Sequence, residues 1–369
     1  RPDIEAAYGD KLRPMDAFKD SAPAELVDCV GHDDLMVLMF TSGTTGRSKA
    51  VMLSERNFFT TVECQVKFGD AMLDYKHEHM PEDKNDVLSN FAILPLFHLG
   101  TFICLFVWAC KGWALNLSAD IRDFYRDLGL MHSDAIAVAP MLMEAIYKDV
   151  KRGRRARLNG VWNPCGSSAM FDGAMLAELA QQGMMITQVY GMTETCGDGI
   201  INYEQDEKHI RAVGKPDDHA EYKLDETGEI CIRGGCVMLG YYKDPEATAE
   251  VLDADGWFHT GDLARVDEEG FYYITGRKKN IIILDNGENV SPEELENLLS
   301  KCEAVKECIV REKGKKICAV IYCGEADQQT VRDFITETNR TLPLYKRMSA
   351  VEFSTEPLPR TGTGKLLRK

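Results

Sequence analysis

Apolar and polar positions along this chain alternate in blocks whose texture changes twice. From residue 35 to about 200, short apolar runs are separated by amphipathic stretches. The runs 35–40, 87–94, 113–117, 135–139, about 161–165 and 184–189 predict strands, and stretches such as 171–182 predict helices between them. That alternation predicts an α/β fold with a parallel sheet flanked by helices. The first run, Leu35-Met36-Val37-Leu38-Met39-Phe40, reads as a buried strand, and Ser54 reads as the N-cap of the helix that follows the glycine-rich stretch 41–49. The run 101–110 is apolar on every side and reads as a buried helix. It is too short to span a bilayer, which takes about 20 residues.

From about 210 to 276 the runs shorten and turn residues separate them, as at Asp267-Glu268-Glu269-Gly270. Segments 229–233 and 270–275 predict strands of an antiparallel, β-barrel-like piece. The charged stretch Arg277-Lys278-Lys279-Asn280 then interrupts the pattern, and a small α+β unit follows. Its first helix is announced by Ser291 as N-cap, Pro292 at N1 and Glu294 closing a capping box. Leu295, Leu298, Leu299 and Cys302 recur at helical spacing after it. A hairpin is expected at 313–315 and a helix over 328–339, while residues 1–34 are polar and irregular. There is no internal repeat and no low-complexity tract.

Composition narrows the picture. A length of 369 residues suits two or three domains, and 44% hydrophobic with 28% charged residues is an ordinary soluble balance. Residues 280–369 carry 14 acidic and 14 basic side chains, so the net charge of −16 belongs wholly to residues 1–279. An acidic body argues against non-specific nucleic-acid binding. Within the last 30 residues the sign reverses: Arg340, Lys346, Arg347, Arg360, Lys365, Arg368 and Lys369 face only Glu352 and Glu356. Such a patch suits a small anionic ligand. The twelve cysteines contain no Cys-x-x-Cys pair, which favours buried thiols in a reducing cytoplasm over zinc or disulfides. No signal peptide is visible. The chain lacks an initiator Met and opens in loop-like sequence, so it is expected to be part of a longer protein.

Candidate chemistry begins at Thr41-Ser42-Gly43-Thr44-Thr45-Gly46-Arg47-Ser48-Lys49. Glycines let backbone N–H groups approach an anion, hydroxyls add donors, and the lysine adds charge. This is not a Walker loop, because Ser48 precedes the lysine where a glycine is needed. Tyr190-Gly191-Met192-Thr193-Glu194 follows the strand 184–189, at the strand end where ligands of such sheets bind. It offers a ring for stacking, a hydroxyl for phosphate and a carboxylate for Mg²⁺. Thr260-Gly261-Asp262 supplies a carboxylate that could accept ribose hydroxyls, and Pro359-Arg360-Thr361-Gly362-Thr363-Gly364-Lys365 is a basic loop ending in lysine.

In this order the four stretches resemble the adenylate-forming superfamily: acyl-CoA synthetases, luciferases and peptide-synthetase adenylation domains. The resemblance covers residues 35–369 and includes Gly276-Arg277-Lys278-Lys279. It departs at Ser48-Lys49-Ala50, where the family usually has Pro-Lys-Gly. It implies an N-terminally incomplete large domain, 1–278, and a small mobile C-terminal lid domain, 279–369. The hundred or more residues that a typical member carries before the loop are not in this chain.

The activity the resemblance implies is that of an ATP-dependent ligase. A carboxylic acid attacks ATP to give acyl-AMP and pyrophosphate, and CoA then takes the acyl group and releases AMP. It implies that Thr41, Ser42, Gly43, Thr44, Thr45, Gly46 and Lys49 hold the β- and γ-phosphates. Thr193 touches phosphate and Glu194 binds Mg²⁺. Tyr190 stacks on adenine beside Gly191 and the backbone of Gly166, Ser167 and Ser168. Asp262 and Arg277 hold the ribose. Lys365 reaches the reacting carboxylate, and rotation about a hinge at Lys279 exchanges it for the segment around Gly287, which serves the thiol site.

Leu94-Pro95-Leu96-Phe97-His98-Leu99-Gly100 resembles the segment beside the acyl pocket of acyl- and aryl-CoA synthetases, which places His98 there. A lone histidine among apolar residues packs in a core more often than it reacts. Residues 276–296 look most like bacterial long-chain fatty acyl-CoA synthetases. The expected partners are thus ATP, a fatty or other carboxylic acid, and CoA. The expected location is the cytoplasm, with peripheral membrane contact left open. Two alternatives remain: a fatty acyl-AMP ligase loading a carrier protein, and a non-catalytic nucleotide-binding relative or inactive fragment.

Overall fold

The computed structural model describes residues 31–41, 48–118, 120–167, 171–197, 199–284, 288–314, 316–360 and 366–367, with Ser167 described by its backbone alone. Strand β1 (Leu35–Thr41) pairs antiparallel with β2 (Lys49–Ser54), and Thr41 stands opposite Lys49. A second strand, Lys49–Ser54, therefore stands between the first strand and the helix capped by Ser54. The expectation of a buried first strand is also corrected. β1 is the edge of a three-stranded sheet, and Phe40 is 70% exposed while Met39 alone in the strand is buried. An edge strand has one neighbour only, so apolar content does not by itself bury it. β2 is the inner strand, and its Val51 and Leu53 are fully buried.

β2 runs straight into α1 (Glu55–His79). Ser54 caps it as expected, in a reciprocal box: Asn57 N–H donates to Ser54 Oγ, and Ser54 N–H donates to Asn57 Oδ1. Asn57 Nδ2 also donates to the carbonyls of Gly235 and Val237, 178 and 180 residues away, which ties the helix start to distant chain.

The main sheet comprises β3 (Ser89–Ala92), β4 (Ala114–Leu117), β5 (Ala135–Val138), β6 (Asn163–Ser167), β7 (Thr187–Gly191) and β8 (Gly199–Asn202). Its order is β4-β3-β5-β6-β7-β8, parallel throughout except for the final antiparallel strand. The connecting helices are α2 (Leu99–Lys111), α3 (Phe124–Leu130), α4 (Pro140–Lys151) and α5 (Gly173–Gln181). Local chemistry sets their ends. Gly112 closes α2 at a φ of 67°, Pro140 opens α4, and the Asp172 carboxylate accepts from two amides at the start of α5. Successive strand residues face opposite sides, so the sheet separates two cores. Phe91, Ile136 and Val138 face Met143, Ile146, Leu176 and Leu179, whereas Ala135 belongs with Ile103, Trp108 and Trp162 on the other side. Phe102 and Phe106 of α2 pack edge-on against Phe58, at 5.7 Å between ring centres in both pairs, so this side of α2 is core.

The antiparallel piece contains β9 (Ala220–Leu224), β10 (Glu229–Gly234), β12 (Phe258–Val266) and β13 (Tyr272–Arg277) in the order β13-β12-β10-β9. Between them, β11 (Gly240–Tyr241) leaves to become the third strand beside β2, and α6 (Pro245–Ala249) follows it. The turn Lys278–Asn280 leads to the hairpin β14 (Ile282–Ile283) and β15 (Asn289–Val290), then α7 (Pro292–Leu299), β16 (Glu307–Lys313), β17 (Lys316–Tyr322), α8 (Gln328–Thr341) and β18 (Ala350–Ser354). These elements share a core of their own, with Val290, Leu295, Leu299, Val310, Ile321, Val331 and Ile335 buried together. Only half of the expected capping box forms at α7. Ser291 Oγ accepts from the Glu294 amide, but the Glu294 carboxylate is taken by Lys346, with contacts of 2.9 and 2.7 Å. An ammonium is the stronger donor, so the ion pair prevails. No helix among the described residues is long and apolar enough to cross a membrane.

Candidate active site

Lys49 opens β2, and β11 lies beside that strand with Tyr241 opposite Val51. The pairing brings the Lys49 ammonium over the Tyr241 ring, 4.4 Å from its centre, where the electron-rich face attracts a cation. The Tyr241 hydroxyl donates to Glu194 Oε1 at 2.9 Å. Burial first, then the nearby Glu194 carboxylate, push this phenol far above its usual range, so it stays a protonated donor. Glu194 sits on the single-turn helix Thr193–Thr195 that follows β7. The turn closes through Cys196 N–H to Thr193 O and Gly197 N–H to Met192 O. Cys196 is left-handed there at a φ of 55°, a conformation that costs a non-glycine residue about 1–2 kcal/mol. Met238 N–H, just before β11, donates to Glu194 O. Backbone and side chain thus both hold Glu194 against the strand that neighbours Lys49.

A second cluster forms around Tyr190, which precedes the Gly191–Thr193 segment in the chain. Asp262 on β12 is the cross-strand partner of Arg277 on β13. Arg277 Nε stands 2.9 Å from Asp262 Oδ1, and the Tyr190 hydroxyl donates to Oδ2 at 3.2 Å. Asp262 is 5% exposed, and charge and hydrogen bonding offset the desolvation of its carboxylate. Burial, then Asp262, raise the Tyr190 phenol well above its ordinary value. Tyr190 is buried and its hydroxyl is spent on Asp262, so it orients that carboxylate and presents little ring face for stacking.

The backbone here is shaped by Glu229. Thr260-Gly261-Asp262 lies inside β12, with Gly261 at a φ of 73°. The Gly261 amide donates to buried Glu229 Oε1 at 2.7 Å, and Lys278 Nζ holds Oε2 at 2.6 Å. The Asp262 amide donates to Thr260 Oγ1, whose hydroxyl donates to Ile230 O. Glu229 opens the apolar strand β10, and Tyr241 is half of an aromatic pair after Gly240, yet neither stands out by sequence as part of the site.

The remaining expected residues fall as follows. Gly191 lies opposite Gly199, and a Cβ on Gly199 would sit 1.8 Å from Tyr190 O. Gly166 on β6 pairs beside Gln188, and a Cβ there would meet the Phe171 ring at 2.5 Å. His98 is exposed at the N-cap of α2 and is not packed in the core. Lys279 is exposed on the turn after β13, whereas Lys278 is held by Glu229. The Thr41 hydroxyl donates to Lys49 O across the β1–β2 pair. Ser42, Gly43, Thr44, Thr45, Gly46, Ser168, Gly287, Lys365 and the Ser167 side chain lie outside the described residues. The chain on either side of Lys365 is bridged, Arg360 to Leu366, and Arg360 is paired with Glu307 at 2.7 Å.

Chemically, the arrangement offers a cation and a carboxylate separated by a phenol, and a buried carboxylate steadied by a guanidinium. Among the described residues Glu194 belongs to no group of three potential metal ligands. A hard cation there would complete its shell from phosphate oxygens and water, which is how Mg²⁺ is usually held beside a nucleotide.

Comparison with known proteins adds the following. The model of the AMP-binding enzyme family matches residues 4–242, and that of the AMP-binding enzyme C-terminal domain matches residues 294–365. The chain is 29% identical to 4-coumarate–CoA ligase 3 of Oryza sativa subsp. japonica, over 95% of this chain and 66% of that ligase. It is 30% identical to a long-chain-fatty-acid–CoA ligase of Salmonella typhimurium, over 91% of this chain and 61% of that protein. It therefore spans about three fifths to two thirds of the length of these relatives. The structure is similar to that of o-succinylbenzoate CoA synthetase of Bacillus subtilis in complex with ATP and magnesium ion. The TM-score is 0.75 at 25% identity, covering 96% of this chain and 73% of that one.

Proposed function

The chain belongs to the AMP-binding enzyme family, and on that premise we propose that the protein activates a carboxylic acid with ATP and passes the acyl group to CoA. The observation that carries the reading is the Lys49–Tyr241–Glu194 chain at the end of Gly191–Thr193, with Tyr190, Asp262 and Arg277 at its start. A nucleotide laid across that turn meets a carboxylate for its ribose at one end and a lysine with a metal-binding carboxylate at the other.

In the first step a substrate carboxylate oxygen attacks the α-phosphorus and the bond to pyrophosphate breaks. Lys49, with Thr41 to Gly46, steadies the leaving pyrophosphate. Thr193 touches phosphate, and Glu194 holds Mg²⁺, which neutralises phosphate charge when bound. Gly166 to Ser168 line the adenine side. Lys365 serves the attacking carboxylate and leaves with the small domain, residues 279–369, when it turns about Lys279 relative to residues 1–278. In the second step the thiol sulfur of CoA attacks the acyl carbonyl, the thiol proton is lost, and AMP departs. His98, exposed at the start of α2, lines the acyl pocket, and Gly287 lies in the segment that serves the thiol.

The finer reading is a fatty acid, supported by the resemblance of residues 276–296 to long-chain fatty acyl-CoA synthetases. The test is pyrophosphate release by the protein across a panel of aliphatic and aromatic carboxylic acids, with and without CoA. Acid-dependent pyrophosphate release with CoA-dependent AMP release is expected. Acyl-AMP formation that CoA does not discharge would replace the CoA step with carrier-protein loading. No pyrophosphate with any acid would defeat the proposal.

A further inference from the structure

A second constellation lies at the far side of Glu229, outside the proposed nucleotide site. Cys231 on β10 and His259 on β12 are direct cross-strand partners, with Sγ 3.5 Å from Nδ1. The same Nδ1 is 3.7 Å from Glu229 Oε2. One ligand atom each of Asp225, Cys231 and His259 lie within 4.8 Å of one another. The other ring nitrogen, Nε2, stands 3.5 Å from Asp253 Oδ2. A zinc ion with bonds of about 2.3 Å to sulfur and about 2.0 Å to nitrogen or oxygen has tetrahedral edges of about 3.3–3.6 Å. The sulfur–nitrogen separation of 3.5 Å matches such an edge.

We propose that Asp225, Cys231 and His259 form a binding site for a borderline divalent cation of the Zn²⁺ class, beside Glu229 and in competition with the Lys278 ammonium. Thiolate, imidazole and carboxylate together select such a cation over Mg²⁺ or Ca²⁺. Asp253 supplies the outer carboxylate that orients a ligating histidine through its second nitrogen. The place already holds a positive charge: Lys278 Nζ lies 2.6 Å from Glu229 Oε2 and 3.6 Å from Asp225 Oδ2. A divalent ion brings twice that charge and can bond to sulfur, which an ammonium cannot. Binding exchanges the Cys231 thiol proton, released to solvent, for a metal–sulfur bond, and Lys278 turns out to water. No electron transfer is involved. Glu229 Oε1 keeps its bond from Gly261, while Lys278, the first residue of the turn into the C-terminal unit, is released.

The test uses Co²⁺ as a spectroscopic probe on the whole protein. Expected is a near-ultraviolet thiolate-to-cobalt band that Zn²⁺ abolishes by displacement. Cys231→Ser should remove the band, and His259→Ala should weaken Co²⁺ binding at least about tenfold. Lys278→Ala should tighten it, because the competing cation is gone. Absence of the band in the unaltered protein overturns the proposal, as does a band that survives Cys231→Ser at full intensity. An affinity unchanged by Lys278→Ala overturns the competition. His259 is partly exposed, so its variant keeps the proposal testable should replacement of buried Cys231 impair folding.

Discussion

The Tyr241 hydroxyl binds the Glu194 carboxylate at 2.9 Å, across 47 residues of sequence. Lys49 stands over the face of the same ring. One phenol therefore spaces a cation from an anion that would otherwise be free to pair directly. Lys49 and Tyr241 are held on paired backbone, β2 and β11, and Glu194 on the single turn that follows β7.

Replacing Tyr241 by Phe keeps the ring under Lys49 and removes the bond to Glu194. A hydrogen bond to a charged acceptor is worth about 1.5–3 kcal/mol. Pyrophosphate exchange should fall about ten- to a hundredfold in kcat/KM, with the Mg²⁺ requirement shifted to higher concentration. Glu194→Gln should move the Mg²⁺ dependence further. A magnesium titration of both variants checks this, and unchanged curves would remove Glu194 from the metal role.

Asp262→Asn leaves the Arg277 guanidinium beside a neutral amide. Breaking a fully buried pair costs about 3–5 kcal/mol, and Arg277 reaches solvent, so about 2 kcal/mol is expected here. The protein should unfold at lower temperature and gain less stability from added ATP. Thermal unfolding with and without nucleotide separates the two effects. An intact ATP-induced shift would argue that Asp262 is structural only.

Gly199→Ala and Gly261→Ala should differ in kind. A Cβ at Gly199 meets the Tyr190 carbonyl at 1.8 Å, and backbone cannot swing aside, so a loss of about 3 kcal/mol or more is expected. At Gly261 nothing lies within 4 Å, and only the left-handed φ is strained, at about 1–2 kcal/mol. Denaturant unfolding of the two variants should rank them in that order. The reverse order would contradict the close approach of β7 and β8.

Lys365→Ala should suppress formation of the acyl-adenylate while sparing thioester formation from supplied acyl-adenylate. Rapid-quench assays of each half-reaction make the comparison. Equal loss in both would sink the role proposed for this lysine.

Much of the parallel sheet was legible beforehand, because strands buried on both faces must be short continuous apolar runs. The run at 135–139 falls within a residue of the inner strand β5, and that at 113–117 within a residue of β4, although β4 is a partly exposed edge. Ser54, Gly112 and Pro140 act through their own backbone neighbours, and chemistry of that range is visible locally. The run 35–40 was misleading about burial. Its strand is real, but whether a strand is inner or edge depends on which others pair with it. The Glu294 box failed for a similar reason, since Lys346, 52 residues away, outbid the local partner.

The sequence by itself determined the order of the elements and singled out the stretch 41–49 and the residues Glu194, Asp262 and Arg277 by residue type. Those follow from periodicity and residue type over a few neighbouring positions. Only the tertiary structure decided that Thr41 pairs with Lys49, that Tyr241 joins Lys49 to Glu194, and that Glu229 and Lys278 set the backbone under Asp262. Each of those depends on strand pairing between distant segments, and pairing is settled by the packing of the whole sheet, which no local window of sequence contains.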